Sequence, residues 1–350
     1  MAAPAVPERR ASLRYAPYQE AGVRPNVIVD GAATTSTVLT LSHWPRSPAP
    51  PGLAADLSAQ MAFAYLGRAD LHGRAEVVSN NHFDQDGLLS VFALVDPGAA
   101  LARRELLIDV AAAGDFATYR WRDAARASMA IAAFADPGRS PLGAAPADDG
   151  EWAAALYSEL LDRLVELCER PDRYRALWAD EDAALAESER LIASGRVGIE
   201  EVPDLDLAVV EAPTESPVAG GHRFASGWSP GLHPMALHNA TGRFAILSVR
   251  GHRYELAYRY ESWVQYRTSR PRPRVDLAPL AEELSAEERD GGRWVFEGAG
   301  ALIPRLYLTG DGESTLAPSR FRSRLEAFLA NAPPAWDPYA VTEPQAAPAT

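Results

Sequence analysis

Apolar positions follow two periods along this chain, and the places where one gives way to the other divide it into regions. Near the beginning, NVIVDG (26–31), TVLTLSHWP (37–45) and AEVVSNN (near residue 75) are short β-type runs set between Gly, Ala, Thr and Ser. Between the second and third runs, Leu53, Leu57, Met61 and Leu66 of LAADLSAQMAFAYLGR approximate one helical face. Strand, helix and strand in that order predict a parallel crossover, hence an α/β sheet. From Gly87 to about residue 136 the period is helical, through GLLSVFALVD, ALARRELLIDVAAAGD and RDAARASMAIAAFAD. DPGRSPLGAAPADDGE (136–151) reads as a linker, and two charged helices are predicted over 151–169 and 171–195, the second with Pro171 in its first turn.

Beyond Pro203 the period shortens to two. GRFAILSVR and RYELAYRYESWVQYR flank Gly251-His252, which predicts a hairpin. In its second arm Tyr254, Leu256, Tyr258, Tyr260, Val264 and Tyr266 share one face, and Arg253, Glu255, Arg259, Glu261, Gln265 and Arg267 share the other. A last helix is expected in SRFRSRLEAFLA. The fold class is therefore α/β: a parallel-sheet amino-terminal domain over 23–136, a linker and helical segment over 137–202, and a smaller α+β domain with antiparallel strands over 203–330. A Pro-rich tail over 331–350 is expected to be disordered.

Composition narrows the chemistry. A formal charge of −13 excludes nonspecific binding of duplex nucleic acid over the whole surface. No apolar run is long enough for a membrane span and the first residues lack a secretory layout, so the expected location is cytoplasmic. The one cysteine, Cys168, permits neither an internal disulfide nor a Cys-based zinc cluster and is expected to be buried and inert. All 34 basic residues are arginine, which removes P-loop, pyridoxal and protein-kinase chemistry together, since each needs a lysine.

The densest chemistry lies in SNNHFDQDGLLS (79–90), where His82, Asp84 and Asp86 alternate just before Gly87 at a strand-to-helix junction. Carboxylates with imidazole suit hard divalent cations, and an Asp-x-Asp at a strand end can aim both acids at one point. Gly87 would let the chain approach the ion or a phosphate. An EF-hand is excluded because its twelfth position, an obligatory bidentate acid, is Ala93. The alternative without a metal is helix capping, for which Asp86 is the expected N-cap. Ser90, one turn on, can contact a phosphate or bond the preceding turn.

HFDQDG resembles the first signature of the DHH-type phosphoesterase superfamily, in which His-x-Asp-x-Asp-Gly at a strand end binds manganese. That resemblance implies a metal-dependent phosphoesterase with His82, Asp84 and Asp86 as catalytic residues. The later Asp-His-His of the superfamily is absent. Asp30 and His43, at the ends of predicted parallel strands, and Asp115, a lone acid in AAAGDF, are the substitutes the sequence offers. Together Asp30, His43, His82, Asp84, Asp86 and Asp115 would hold two ions, Mn²⁺ or Mg²⁺. The chain as a whole resembles a bacterial family of unknown function.

In the carboxy-terminal half, Gly227 to Gly231 spells Gly-x-Ser-x-Gly, but Pro230 removes the amide a serine-hydrolase oxyanion hole requires. His233 is the loop histidine expected to meet substrate, by a loose likeness to the phosphate-contacting histidine loop of phosphoesterases. Arg267, Arg270, Arg272 and Arg274 form the densest basic stretch and suit a phosphate. The function expected is hydrolysis of a phosphate ester or phosphodiester on a small substrate such as a nucleotide, and the chain could act as a homodimer. The other reading is a noncatalytic metal- or ligand-binding protein that keeps a degenerate motif.

Overall fold

The structure, a computed structural model, describes residues 12–47, 49–213, 231–310 and 312–340. It opens with strand β1 (Arg14–Tyr15), the single turn α1 (Tyr18–Ala21), then β2 (Asn26–Val29), β3 (Thr37–Leu41), helix α2 (Ser58–Leu66) and β4 (Val77–Ser79). These strands form one parallel sheet in the order β1-β4-β2-β3. Central β2 is buried throughout, as expected of a parallel strand covered on both faces.

A helical layer follows: α3 (Gln85–Val95), α4 (Pro97–Leu101), α5 (Arg104–Asp115), α6 (Arg122–Ala135), α7 (Asp149–Glu169) and α8 (Arg175–Ala193). Helix α3 is buried from Gln85 to Leu94 and packs between α2 and α5, which explains a sequence that is apolar nearly all round. Pro171 begins a single 3₁₀ turn ahead of α8. Cys168 is buried, where loss of solvation pushes its thiol up to about 12, so it is inert as expected.

The second sheet runs β10-β11-β8-β7-β6-β5, from β5 (Gly198–Val202), β6 (Leu207–Glu211), β7 (Ala245–Arg250), β8 (Arg253–Tyr258), β10 (Trp294–Phe296) and β11 (Arg305–Leu308). All its pairs are antiparallel except β6 with β7, and β7–β8 is the hairpin about Gly251-His252. Helices α10 (Ala278–Glu287) and α11 (Pro318–Asn331) pack Leu280, Leu284, Phe321 and Leu325 against one face. Leu191 of α8 and Leu237 of α9 (Pro234–Ala240) cover the other.

Two expectations are corrected. The alternating stretch after Arg253 is not one strand: β8 ends at Tyr258, and Tyr260–Ser262 forms a 3₁₀ turn. Its expected polar face is covered, with Arg259 and Glu261 buried as an ion pair. Tyr260, Trp263 and Val264 instead join the amino-terminal core. The tail is also ordered as far as residue 340. Strand β12 (Pro334–Trp336) pairs with β9 (Arg274–Val275), and Trp336 stacks on Trp263 with ring centres 6.1 Å apart. Residues 341–350 and the stretch 227–230 of the Gly-x-Ser-x-Gly match lie outside the described residues.

Candidate metal centre

Three neighbouring parallel strands deliver side chains to one edge of the first sheet. Asp30 directly follows β2, His43 follows β3 by two residues, and His82 and Asp84 follow β4. Ligands gather at this carboxyl edge in open α/β sheets because the strand ends leave a crevice there. Asp30 has φ 45, a left-handed backbone that Asp tolerates better than most residues.

Two helices complete the cluster. Asp84, not Asp86, is the N-cap of α3: its Oδ1 accepts the Gly87 amide at 2.9 Å. Asp86, in the first turn of α3, reaches the amino terminus of α2 and accepts the Ser58 and Ala59 amides at 2.7 and 2.8 Å. Ser58 Oγ donates to Asp30 Oδ1 at 2.9 Å, tying the two carboxylates through one residue. Asp115 comes from the last turn of α5, which approaches α3 closely at Gly114; a Cβ there would lie 2.5 Å from that of Gln85. Gly87 has a comparable task, since a Cβ would lie 2.2 Å from Asn80 Nδ2, so its lack of a side chain serves helix packing.

The donor atoms fall into two groups that share one residue. Asp30, His43, Asp86 and Asp115 converge within 4.8 Å of one another, and so do Asp30, His82 and Asp84. Asp30 Oδ1 lies 3.4 Å from His43 Nε2, and Asp30 Oδ2 lies 3.4 Å from His82 Nε2. His82 Nε2 is 2.9 Å from Asp84 Oδ2. His43, Asp86 and Asp115 are at most 2 % exposed, whereas the His82 side chain is 21 % exposed and forms the solvent side.

His43 is held for ligation. Its Nδ1 meets the Asp56 carbonyl, which can only accept, so Nδ1 carries a proton and Nε2 is the nitrogen turned to the carboxylates, open to a cation that displaces its proton. Nε2 is buried and makes no hydrogen bond, although Asp115 Oδ2 is 3.5 Å away and Asp86 Oδ2 4.0 Å. Burial disfavours the charged ring, but Asp30, then Asp86 and Asp115, outweigh it and push the His43 pKa up to about 10. Burial, then Asp30, pushes Asp86 up to about 7 despite the opposing charge of His43. Both shifts express a demand for positive charge at the point where the carboxylates meet. Oxygen-rich donors with two imidazoles and no thiolate suit Mn²⁺ or a related hard cation.

The carboxy-terminal half frames the cluster. Tyr260 lies edge-on to His43 at 5.8 Å, while Trp44 sits 5.4 Å from His82 and 5.8 Å from Trp263. Gln265 N donates to the His43 carbonyl at 2.9 Å. The Asp56 carboxylate accepts the Thr268 amide at 2.9 Å and the Thr268 hydroxyl. Asp56, Ser58, Tyr260 and Thr268 escaped the sequence reading. A start signal for α2 was visible in DLSAQ, where Gln60 Oε1 accepts the Asp56 and Leu57 amides; nothing local marked the others.

The residues expected to bind substrate do not gather here. His233 is wholly buried as the N-cap of α9, with its ring 3.3 Å from Glu181. Arg274 is buried and donates to the carbonyls of Arg259, Ala299, Ala301 and Leu302, so it organises a loop. Arg272 donates to the Asp204 and Leu329 carbonyls. Arg270 pairs with Asp337, and Arg267 bonds Gln265 and lies over Tyr339; both are exposed. Ser90 is buried inside α3, and among the described residues its hydroxyl has no hydrogen-bond partner. Asp109, the other aspartate of α5, is buried outside the cluster and accepts the Arg120 and Trp121 amides.

Fold and site define a mixed α/β protein with a buried Asp/His cluster, able to hold a metal ion, at the carboxyl edge of its parallel sheet. Residues 11–340 match DUF6687, a family of unknown function, and the chain belongs to it. No curated protein and no solved structure matches the chain. The likeness of HFDQDG to the DHH-type phosphoesterases therefore rests on those residues alone. Among the described residues no helix is long and apolar enough to cross a membrane.

Proposed function

We propose that the protein is a metal-dependent hydrolase of small phosphate esters, with a two-ion centre that takes Mn²⁺. The observation that carries this reading is the position of Asp30, whose two oxygens face the two ligand groups separately, as a bridging carboxylate does. When bound, paired cations supply a water of lowered pKa and neutralise charge on phosphoryl oxygens. The chain's part is to hold His43 by Asp56, to hold Asp86 by the α2 amides, and to leave His82 at the solvent side where substrate enters.

One observation favours a second reading, a noncatalytic protein with a structural ion: the burial of His43, Asp86 and Asp115. Turnover separates the two. Purified protein loaded with Mn²⁺ is expected to bind close to two equivalents and to hydrolyse generic phosphomonoesters or phosphodiesters, with loss of turnover but not of fold in Asp84→Asn. Bound metal without turnover on any ester would leave the binding reading, and absence of bound metal would remove both.

A further inference from the structure

The turn that leads out of β3 passes beside the solvent side of the ligand cluster. Ser47 N donates to the Trp44 carbonyl at 3.2 Å, which closes a four-residue turn over 44–47. Pro45 fixes a negative φ at its second position and Arg46 has φ 66 at its third, the pattern of a type II turn. That third position favours Gly or Asn, and the Cβ of an arginine strains it. Trp44, at the head of the turn, holds its ring 5.4 Å from that of His82, the ligand nearest solvent.

The same turn carries donors without acceptors. Among the described residues the buried Nε of Arg46 and the buried Nε1 of Trp44 have no hydrogen-bond partner, and no carboxylate pairs with the Arg46 guanidinium. Half-buried arginines elsewhere are committed, Arg122 to Asp182 and Arg139 to the Leu177 carbonyl. A buried donor left unpaired is costly, so two of them in one short turn mark a place for an acceptor from outside the chain.

Resting on the two-ion hydrolase reading above, we infer that Arg46 binds a phosphoryl oxygen of the substrate, and that the substrate is a phosphomonoester. Three residues separate Arg46 from the ligand His43, so their Cα atoms lie at most about 11 Å apart. An arginine side chain and a phosphoryl group together bridge such a gap. The choice of ester follows from its oxygens. A phosphomonoester has three that are non-bridging and a diester has two. With one oxygen given to each of two ions, only the monoester keeps a third for a guanidinium, which also answers its second negative charge.

The test measures binding of inorganic phosphate and of dimethyl phosphate to the full chain loaded with Mn²⁺, by calorimetry. Gly suits φ 66, so Arg46→Gly should fold and melt no lower than the parent. It should nevertheless lose about 10–100-fold in phosphate affinity, the worth of a hydrogen bond to a charged group. Arg46→Lys keeps the charge without the planar fork and should recover only part of that loss. Dimethyl phosphate affinity and bound Mn²⁺ should be the same in all three proteins. Unchanged phosphate affinity in Arg46→Gly, or an equal fall for dimethyl phosphate, overturns this inference alone. Phosphate binding that depends on Arg46, without turnover of any ester, overturns hydrolysis and leaves the anion site standing. Failure of the parent to bind Mn²⁺ overturns the metal-centre reading and this inference with it.

Discussion

Replacing Asp30 by Asn tests the centre most directly, because one carboxylate serves both ligand groups. The amide is nearly isosteric, Asn tolerates the φ of 45 at this position, and its oxygen can still accept from Ser58 Oγ. Losing an outer-shell partner alone weakens metal binding about 10–100-fold, so loss of a shared ligand should cost at least about 100-fold at each ion. At a free Mn²⁺ concentration of about 100 times Kd, one bound ion stabilises the parent protein by about 2.7 kcal/mol, and after a 100-fold loss by only about 0.4 kcal/mol. For a chain of this length those values correspond to melting shifts of about 4 °C and about 0.5 °C. The variant also loses the carboxylate that most favours a charged His43, so its Mn²⁺ shift is read against its own metal-free melting temperature. The assay is thermal unfolding with and without Mn²⁺, beside elemental analysis of bound metal. Asp109→Asn is the control, being a buried acid that holds loop amides outside the cluster. A full Mn²⁺ shift in Asp30→Asn, or an equal loss in Asp109→Asn, would refute the bridging role.

Further outcomes follow from other parts of the site. Asp56→Ala keeps the backbone carbonyl that meets His43 Nδ1 but removes the carboxylate clasped by Thr268 that positions it, so Mn²⁺ affinity measured by competitive chelation should fall about 10–100-fold. Proton competition gives a signed pH dependence. In the metal-free protein Asp86 at about 7 and His43 at about 10 both lie above their unfolded values of 3.8 and 6.5. Each therefore contributes stability below its unfolded value that is lost as pH rises through the folded one. The metal-free melting temperature should fall from pH 5 to pH 9 while apparent Mn²⁺ affinity rises, and a flat profile in both would exclude the proton-for-metal exchange. Gly114→Ala puts a methyl group 2.5 Å from Gln85 Cβ, and overpacking of that kind should cost about 1–3 kcal/mol in urea unfolding together with weaker metal binding.

Much of the architecture was legible because period and position are local signals. Strands β2 and β3 and helices α3, α5 and α6 lie within a few residues of the ranges the patterning predicts, and the strand-end rule pointed to Asp30 and His43. Asp115 was accessible only as a lone acid in an apolar helix. What the sequence hid is held by backbone groups across long separations: Gln265 N on His43 O and Thr268 N on Asp56 have no residue-type signature. The arginine stretch misled for a related reason. Guanidinium groups suit phosphate, but they suit converging carbonyls equally, and Arg274 found four of them. The Pro-rich tail read as disordered because composition does not report that β9 offers a short partner, one that tolerates Pro334 at the end of its strand.

The clasp between Asp56 and Thr268 spans 212 positions of sequence. On the ribosome, all six Asp and His residues of the cluster emerge long before the turn that steadies His43 through Asp56, so an ion captured early would meet an unbraced cluster. Bracing of the cluster thus waits for synthesis of the residues about Thr268, and a chain lacking the second sheet would carry the Asp/His cluster without that brace.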